Sequence, residues 1–202
     1  MTTSATGGYL VQTADTLPGG LTLEQYLQEI FVGMTGMPGT QVRPKWQKNA
    51  PTMNATPEEN FMTFGVTEVR PDANSYQETK VIEGEPGSIT HMQRHEELNI
   101  LCSFYGTSAR TNAALLRDGF EISQNRDALR AGKMGFKEVS FITNVNELKG
   151  QVWFQRADMN IVLRRQVDKS FSVLVLVGAE GTIQGQKSNN EIENVPWNVS
   201  EP

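Results

Sequence analysis

The chain has few of the residues from which catalytic and metal sites are usually built. Its 202 residues include one cysteine, Cys102, and two histidines, His91 and His95. A lone cysteine forms no intramolecular disulfide, and no second cysteine or third histidine is present to complete a zinc site. No Gly-x-Ser-x-Gly sequence surrounds a serine, and no Gly-Lys-Ser/Thr phosphate loop occurs. We therefore expect neither an enzyme nor a bound cofactor.

Basic residues are scarce at both ends of the chain. Residues 1–42 contain three acids, Asp15, Glu24 and Glu29, and no lysine or arginine, while the residues after Ile183 hold three glutamates and one lysine. The formal net charge is −5. No basic block is present to neutralise DNA phosphates, which argues against a protein that reads a nucleic-acid sequence.

Long hydrophobic runs are absent as well. The longest apolar run, 173–177, is far too short to cross a bilayer, and residues 1–8 lack the cationic and apolar regions of a signal peptide. We expect no membrane partner and a protein that is kept in a cytosol-like compartment.

What the chain does contain is a long strand candidate at 89–105. Leu98, Ile100, Cys102 and Phe104 fall on one face at period two and Glu97, Asn99 and Ser103 on the other, with only Leu101 breaking the alternation; this is the pattern of a strand with one face on the core. Since Cys102 lies on the apolar face, we predict that it is a small buried side chain and not a nucleophile.

Three helices and several further strands surround this candidate. Thr22 and Gln25 form a capping box for a first helix that ends at Gly33 and Gly36. Two more helices are predicted at 108–119 and at 124–131, the latter capped by Ser123. Further strands are predicted at 42–46 on a sheet edge, at 61–69 with 76–82 as its hairpin partner, at 138–143, at 152–167 and at 174–177. The predicted fold class is α+β: a twisted, mostly antiparallel sheet flanked by two or three helices.

Both ends of the chain are rich in polar residues and glycine. We predict an extended N-terminal arm at 1–20, an α+β domain at 21–183 and a polar C-terminal arm at 184–202, in which Trp197 could serve as an anchor.

The residues 91–97 carry the one arrangement that suggests metal chemistry. On a helix, His91 and His95 would lie close enough to share a zinc ion beside Glu96. We interpret the segment as a strand, where four residues span roughly 13 Å. A polar strand edge that contacts a partner is therefore the preferred interpretation, and a small metallohydrolase is the alternative.

A partner surface can be assembled from the polar parts of the two long strands. Arg164 and Arg165 lie late on the second of these strands and could meet an acid on a partner. The predicted interface residues are Arg94, His95, Glu96, Glu97, Arg164, Arg165 and Trp197.

Several segments, taken in order, resemble the neck or tail terminator proteins of tailed bacteriophages. They are 42–47 (VRPKWQ), 64–67 (FGVT), 71–76 (PDANSY), 93–98 (QRHEEL), 102–106 (CSFYG), 116–119 (LRDG), 124–126 (QNR), 128–129 (AL) and 156–159 (RADM). The resemblance covers roughly 21–182 in consistent order and spacing.

The resemblance implies a structural virion protein, assembled in the bacterial cytoplasm, with no catalytic residues to carry over. It implies a ring, commonly hexameric, that ends the tail and joins tube or sheath to the head connector. Genomic DNA would pass through a central channel without sequence recognition. A connector or stopper ring nearer the portal is an alternative, and a free-standing binding module is another.

Overall fold

The computed structural model describes residues 9–14, 17–47, 56–72, 74–81, 88–149, 151–173, 178–186 and 192–200. The chain divides into two compact units. The terminal unit comprises Met1–Thr13, Gln77–Met92 and Lys169–Pro202, and the central unit comprises Ala14–Tyr76 and Gln93–Asp168.

The helices begin and end close to the sequence signals. A short 3-10 turn at Pro18–Gly20 precedes α1, which spans Leu23–Thr35. The predicted capping box is confirmed, because the Gln25 N–H donates to Thr22 Oγ1 at 3.3 Å and the Thr22 N–H donates to Gln25 Oε1 at 2.9 Å. Gly36 caps the other end in the left-handed conformation, with φ 69°. Gly33 lies inside α1 and does not end it.

The two later helices pack on the same core. α2 spans Ala109–Gly119 and α3 spans Ser123–Ala131. The prediction that Ser123 caps α3 is wrong by one position. Ile122 is the N-cap and makes no side-chain hydrogen bond there.

Most strands belong to one mixed sheet. Its order is β1-β2-β4-β9-β5, with β3 paired to β4 and β6 paired to β9, whereas β7–β8 and β10–β11 form separate two-stranded sheets. The strands are β1 Val42–Pro44, β2 Phe61–Pro71, β3 Tyr76–Val81, β4 Ser88–Tyr105, β5 Met134–Val139, β6 Thr143–Asn144, β7 Glu147–Lys149, β8 Val152–Phe154, β9 Arg156–Val173, β10 Gly178–Gln186 and β11 Ile192–Ser200. The α+β class is confirmed.

The pairings within the sheet are mostly antiparallel, as predicted. β2 pairs antiparallel with β4, and β5 and β6 with β9, while the edge strand β1 pairs parallel with β2. The predicted hairpin between β2 and β3 is wrong, because β3 pairs with β4. β4 is long enough to pair with both strands. β2 pairs with its Glu96–Tyr105 part. In the other part of β4, the hydroxyl oxygen of Thr90 lies 2.9 Å from that of Thr79 on β3.

The core lies between one face of the sheet and the helices. Leu98, Ile100, Cys102 and Phe104 are fully buried, which confirms the period-two prediction. Phe31 of α1 meets Phe64 of β2 edge to face, with ring centroids 4.9 Å apart. Each such side chain contributes about 1.5–3 kcal/mol by leaving water.

The predicted strand at 152–167 is two strands separated at Gln155. The backbone N–H of Gly106 donates to the Gln155 carbonyl at 3.2 Å. β9 continues the buried row through Ala157, Met159, Ile161 and Leu163. Trp153, predicted on that row, is instead exposed on β8, because the strand break removes it from the alternation of β9.

Parts of both predicted arms are described. Residues 9–13 of the N-terminal arm and the C-terminal arm belong to the terminal unit, whereas residues 14 and 17–20 belong to the central unit. The Thr13 N–H donates to the Ser170 carbonyl at 2.9 Å, and the Ser170 N–H donates to Thr13 Oγ1 at 3.0 Å. Residues 192–200 of the C-terminal arm form β11, which pairs with β10. The division into two arms and one domain stays a prediction, and the strand predicted at 174–177 lies outside the described residues.

Candidate interface

The predicted interface residues are divided between two faces of the sheet. On β4, Arg94 and Glu96 share the parity of the buried Leu98, whereas His95 and Glu97 have the opposite parity. On β9, Arg165 shares the parity of the buried row and Arg164 does not. The two strands therefore place Arg94, Glu96 and Arg165 on the core side of the sheet. They place His95, Glu97 and Arg164 on the opposite side, which we call the open face.

Glu96 and Arg165 form a buried ion pair on the core side. Arg165 Nε donates to Glu96 Oε1 at 2.5 Å. The Arg165 side chain is 16% exposed and the Glu96 side chain is 11% exposed. Arg94 shares this face, and its Nε is buried with no hydrogen-bond partner in the described part of the chain. A buried charge is strongly destabilising unless it is paired. Glu96 and Arg165 are therefore paired within the chain, and their role at an interface stays a prediction.

His95 and Arg164 line a shallow groove of about 550 Å³ in the central unit. Each cation of this groove has a carboxylate partner: Arg164 pairs with Asp72, and Lys133 pairs with Asp168 at 2.5 Å. The remaining lining residues are Arg130, which pairs with Asp127, together with Met134, Gly135, Arg165 and Gln166. Because these positive charges are balanced locally, the groove attracts a polyanion only weakly.

Glu97 belongs to a separate ion-paired patch on the open face. Lys137 Nζ donates to Glu97 Oε1 at 2.6 Å, and Arg70 donates to Glu68 at 2.9 Å. The hydrogen bond from Arg70 lowers the pKa of Glu68. A small cavity of about 120 Å³ lies among these side chains. The open face is therefore polar at this point.

Sequence reasoning missed a polar cluster at the other end of the open face. Arg156 donates to both carboxylate oxygens of Asp158 at 2.8 Å and to Glu147 at 2.6 Å, and its guanidinium lies 5.6 Å from the centre of the Tyr105 ring. The hydrogen bond with Asp158 raises the pKa of Arg156. The sequence does place Arg156 and Asp158 on the same face of one strand, which was a signal for this ion pair. Glu147 gave no signal, because in the sequence it resembles a charged residue of a loop.

Lys45 lies near this cluster. Its Nζ donates to the buried Ser103 Oγ at 2.8 Å. Burial lowers the pKa of Lys45, and the nearby Asp158 opposes that change. A lysine beside a serine can act as a catalytic pair, but Ser103 is fully buried and no substrate can reach it. The contact anchors the end of β1 to the sheet.

Two hairpins expose paired apolar side chains. In β7–β8, Leu148 lies opposite Trp153, and the two are 55% and 63% exposed. In β10–β11, Ile183 lies opposite Val195, and they are 60% and 50% exposed. These exposed apolar pairs are candidate sites of protein contact. The backbone of Trp197 pairs with Gly181, and the predicted role of its side chain lies outside the described residues.

The geometry required for the metal alternative is not formed. The segment with both histidines is strand β4 and not a helix, and Glu96 is engaged by Arg165. Among the described residues, no group of three or more His, Cys, Asp or Glu side chains is placed to hold a metal ion. Burial raises the pKa of the Cys102 thiol, so the thiolate does not form near neutral pH. In the described part of the chain, no helix is long and apolar enough to span a membrane.

Fold and site together define an α+β protein in which many charged side chains on the sheet form ion pairs within the chain and in which two hairpins expose apolar side chains. The family model for phage neck terminator proteins matches residues 21–187, which is most of the chain. The chain therefore belongs to the phage neck terminator protein family, and it is a structural component of a tailed-phage virion. The family resemblance predicted from the sequence is confirmed. A search of curated proteins found no match.

Proposed function

We propose that this protein forms a ring, with about six copies, that terminates the phage tail and joins the tail tube or sheath to the head connector. Family membership supplies the neck location. The observation that supports a ring is the presence of two different exposed apolar surfaces on one chain, on the β7–β8 and β10–β11 hairpins. A ring with head-to-tail contacts requires two unlike surfaces on each subunit.

The ring would leave a central channel through which genomic DNA passes without sequence recognition. The net charge of −5 and the local pairing of the groove cations support a wall that does not hold the phosphate backbone. A strongly basic lumen, revealed by mapping the potential on an assembled ring, would contradict this part of the proposal.

Native mass spectrometry and negative-stain imaging of the purified protein test the ring directly, and imaging of virions that lack it tests the location. We expect closed rings, together with tails of abnormal length or tails that fail to join heads. Monomers in solution beside normal virions would overturn the proposal.

A further inference from the structure

The N-terminal arm is joined to β9 at one described position. The Thr13 N–H donates to the Ser170 carbonyl at 2.9 Å, and the Ser170 N–H donates to Thr13 Oγ1 at 3.0 Å. The two hydroxyl oxygens lie 3.3 Å apart. Within the described part of the chain, residues 9–14 make no other hydrogen bonds. An extended segment is therefore bound to a strand by backbone groups, as in strand addition.

The edge of β9 that accepts the arm extends past Ser170. β5 pairs with β9 from Ile161 to Arg165, so Ser170 lies beyond the end of β5. In a regular strand every second residue directs its N–H and carbonyl to the same edge, so the exposed Ser172 offers a further pair of these groups. This part of β9 is therefore a short acceptor edge, and the structure itself shows which segment occupies it.

The arm gains little from this contact on its own chain. Every described residue from 9 to 14 is exposed, with Tyr9 at 91%, Val11 at 85% and Leu10 at 41%. Ordering an extended segment costs backbone entropy, and hydrogen bonds between exposed groups replace hydrogen bonds to water. Because no apolar side chain of the described segment is buried, the contact opens readily. The arm can then pair with the same edge on another copy.

The apolar residues of the arm favour a neighbouring copy. Tyr9, Leu10 and Val11 form an apolar run that precedes the hydrogen-bonded Thr13, and tyrosine and valine are common in strands. On their own chain these three side chains are left in water. A contact between two copies supplies a second surface against which they can be buried.

The base of the arm is fixed. Leu17 and Leu21 pack against the core cluster, and Pro18–Gly20 forms a turn between them in which both glycines have left-handed φ values of 72° and 71°. Three residues separate Thr13 from Leu17. A short connection of this kind favours exchange of the segment between copies.

We infer that the arms are exchanged in the ring: residues 9–14 of one copy add to the β9 edge at Ser170 of the next copy. This inference rests on the proposed ring and names one of its contacts. Exchange of an identical element needs no new acceptor, because each hydrogen bond seen on one chain is remade on its neighbour. It also places Tyr9, Leu10 and Val11 between two copies.

Cysteine cross-linking shows which copy supplies the arm. Thr13→Cys and Ser170→Cys are prepared as separate variants, and the native Cys102 is buried and does not interfere. Because the two hydroxyl oxygens lie 3.3 Å apart, thiols at these positions come within reach of each other. Rings assembled from an equal mixture of the variants and then oxidised should give disulfide-linked dimers on a non-reducing denaturing gel. Each variant alone is the control and should give none.

A second test weakens the contact without adding a thiol. Thr13→Pro removes the N–H and the hydroxyl that bond to Ser170, and proline is compatible with an extended backbone. It should weaken ring assembly by about tenfold, because each contact loses its hydrogen bonds. Gln12→Pro is the matched control, since the Gln12 N–H makes no hydrogen bond in the described part of the chain. Sedimentation velocity measures assembly, and circular dichroism checks that each variant is folded.

The outcomes separate this contact from the ring itself. If the wild-type chain forms rings and the Thr13→Cys/Ser170→Cys double variant is linked only within chains, the exchange is wrong and the ring stands. The exchange is also wrong if Thr13→Pro assembles as well as Gln12→Pro, or if the mixed rings give no linked dimers. If the wild-type chain forms no ring, the proposed function fails and this contact fails with it.

Discussion

At the scale of single residues, the most consequential contact is the ion pair between Glu96 and Arg165. Glu96 lies on the core side of β4 next to the buried Leu98, and Arg165 lies on the core side of β9 between the buried Leu163 and Val167. Surface pairs such as Arg70 with Glu68 differ, since both side chains are about half exposed or more. Burial therefore decides how much each pair contributes to stability.

We predict that Arg165→Met lowers the free energy of unfolding by about 3–5 kcal/mol, because it leaves Glu96 buried without this partner. Arg70→Met, which breaks an exposed pair, should lower it far less, because solvent screens that pair. Chemical denaturation of both variants at neutral pH measures the difference. Equal losses in the two variants would contradict the assignment of Glu96 and Arg165 as a buried structural pair.

At the scale of elements, the turn between α3 and β5 is joined to β9 by a polar cluster. Lys133 has a left-handed φ of 55°, and its carbonyl accepts from the Gln166 N–H at 2.9 Å. Lys133 Nζ and Gln166 Nε2 also donate to the Asp168 carboxylate. Burial raises the pKa of Asp168, but these hydrogen bonds and the Lys133 charge outweigh it, so the net pKa lies below the usual value.

A carboxyl group whose pKa is depressed on folding stabilises the fold above its unfolded pKa. That stability is lost as the pH falls through the folded pKa. We therefore predict that Asp168→Asn is less stable than the wild type near neutral pH and that the difference shrinks in acid. Lys133→Met should behave in the same way, because it removes the main donor to Asp168. Unfolding free energies across the acid range provide the measurement, and a difference independent of pH would refute the linkage.

At the scale of the whole molecule, two grooves of the central unit adjoin the same end of α3. Arg130 lines the groove that contains His95, and the next residue, Ala131, lines a second groove, which lies between α1 and α3. That His95 contributes to assembly stays a prediction from the sequence.

We predict that His95→Ala reduces ring formation severalfold, because the sequence places His95 among the predicted interface residues. The monomer should stay folded, because His95 is half-buried and lies outside the core. His91→Ala is the matched control: His91 has the same parity on β4, is exposed and belongs to the terminal unit. Sedimentation velocity and circular dichroism report assembly and folding. An unchanged ring in His95→Ala would count against this interface.

The local features of the chain were predictable because they depend on neighbours in sequence. The capping box of Thr22 and Gln25 needs residues three apart, and the buried row from Leu98 to Phe104 needs only the alternation of a strand. The family resemblance likewise depends on the order of short segments, and the family model confirms it.

The pairing of distant residues required the folded chain. Nothing in the alternation of β4 shows that Glu96 meets Arg165, or that β3 pairs with β4 rather than β2. The sequence established the helices, the core row and the family, because short-range geometry and composition specify them. The groove between α1 and α3, the ion pairs and the exposure of Trp153 depend on long-range packing, in which strand order and a strand break at Gln155 select which side chains meet.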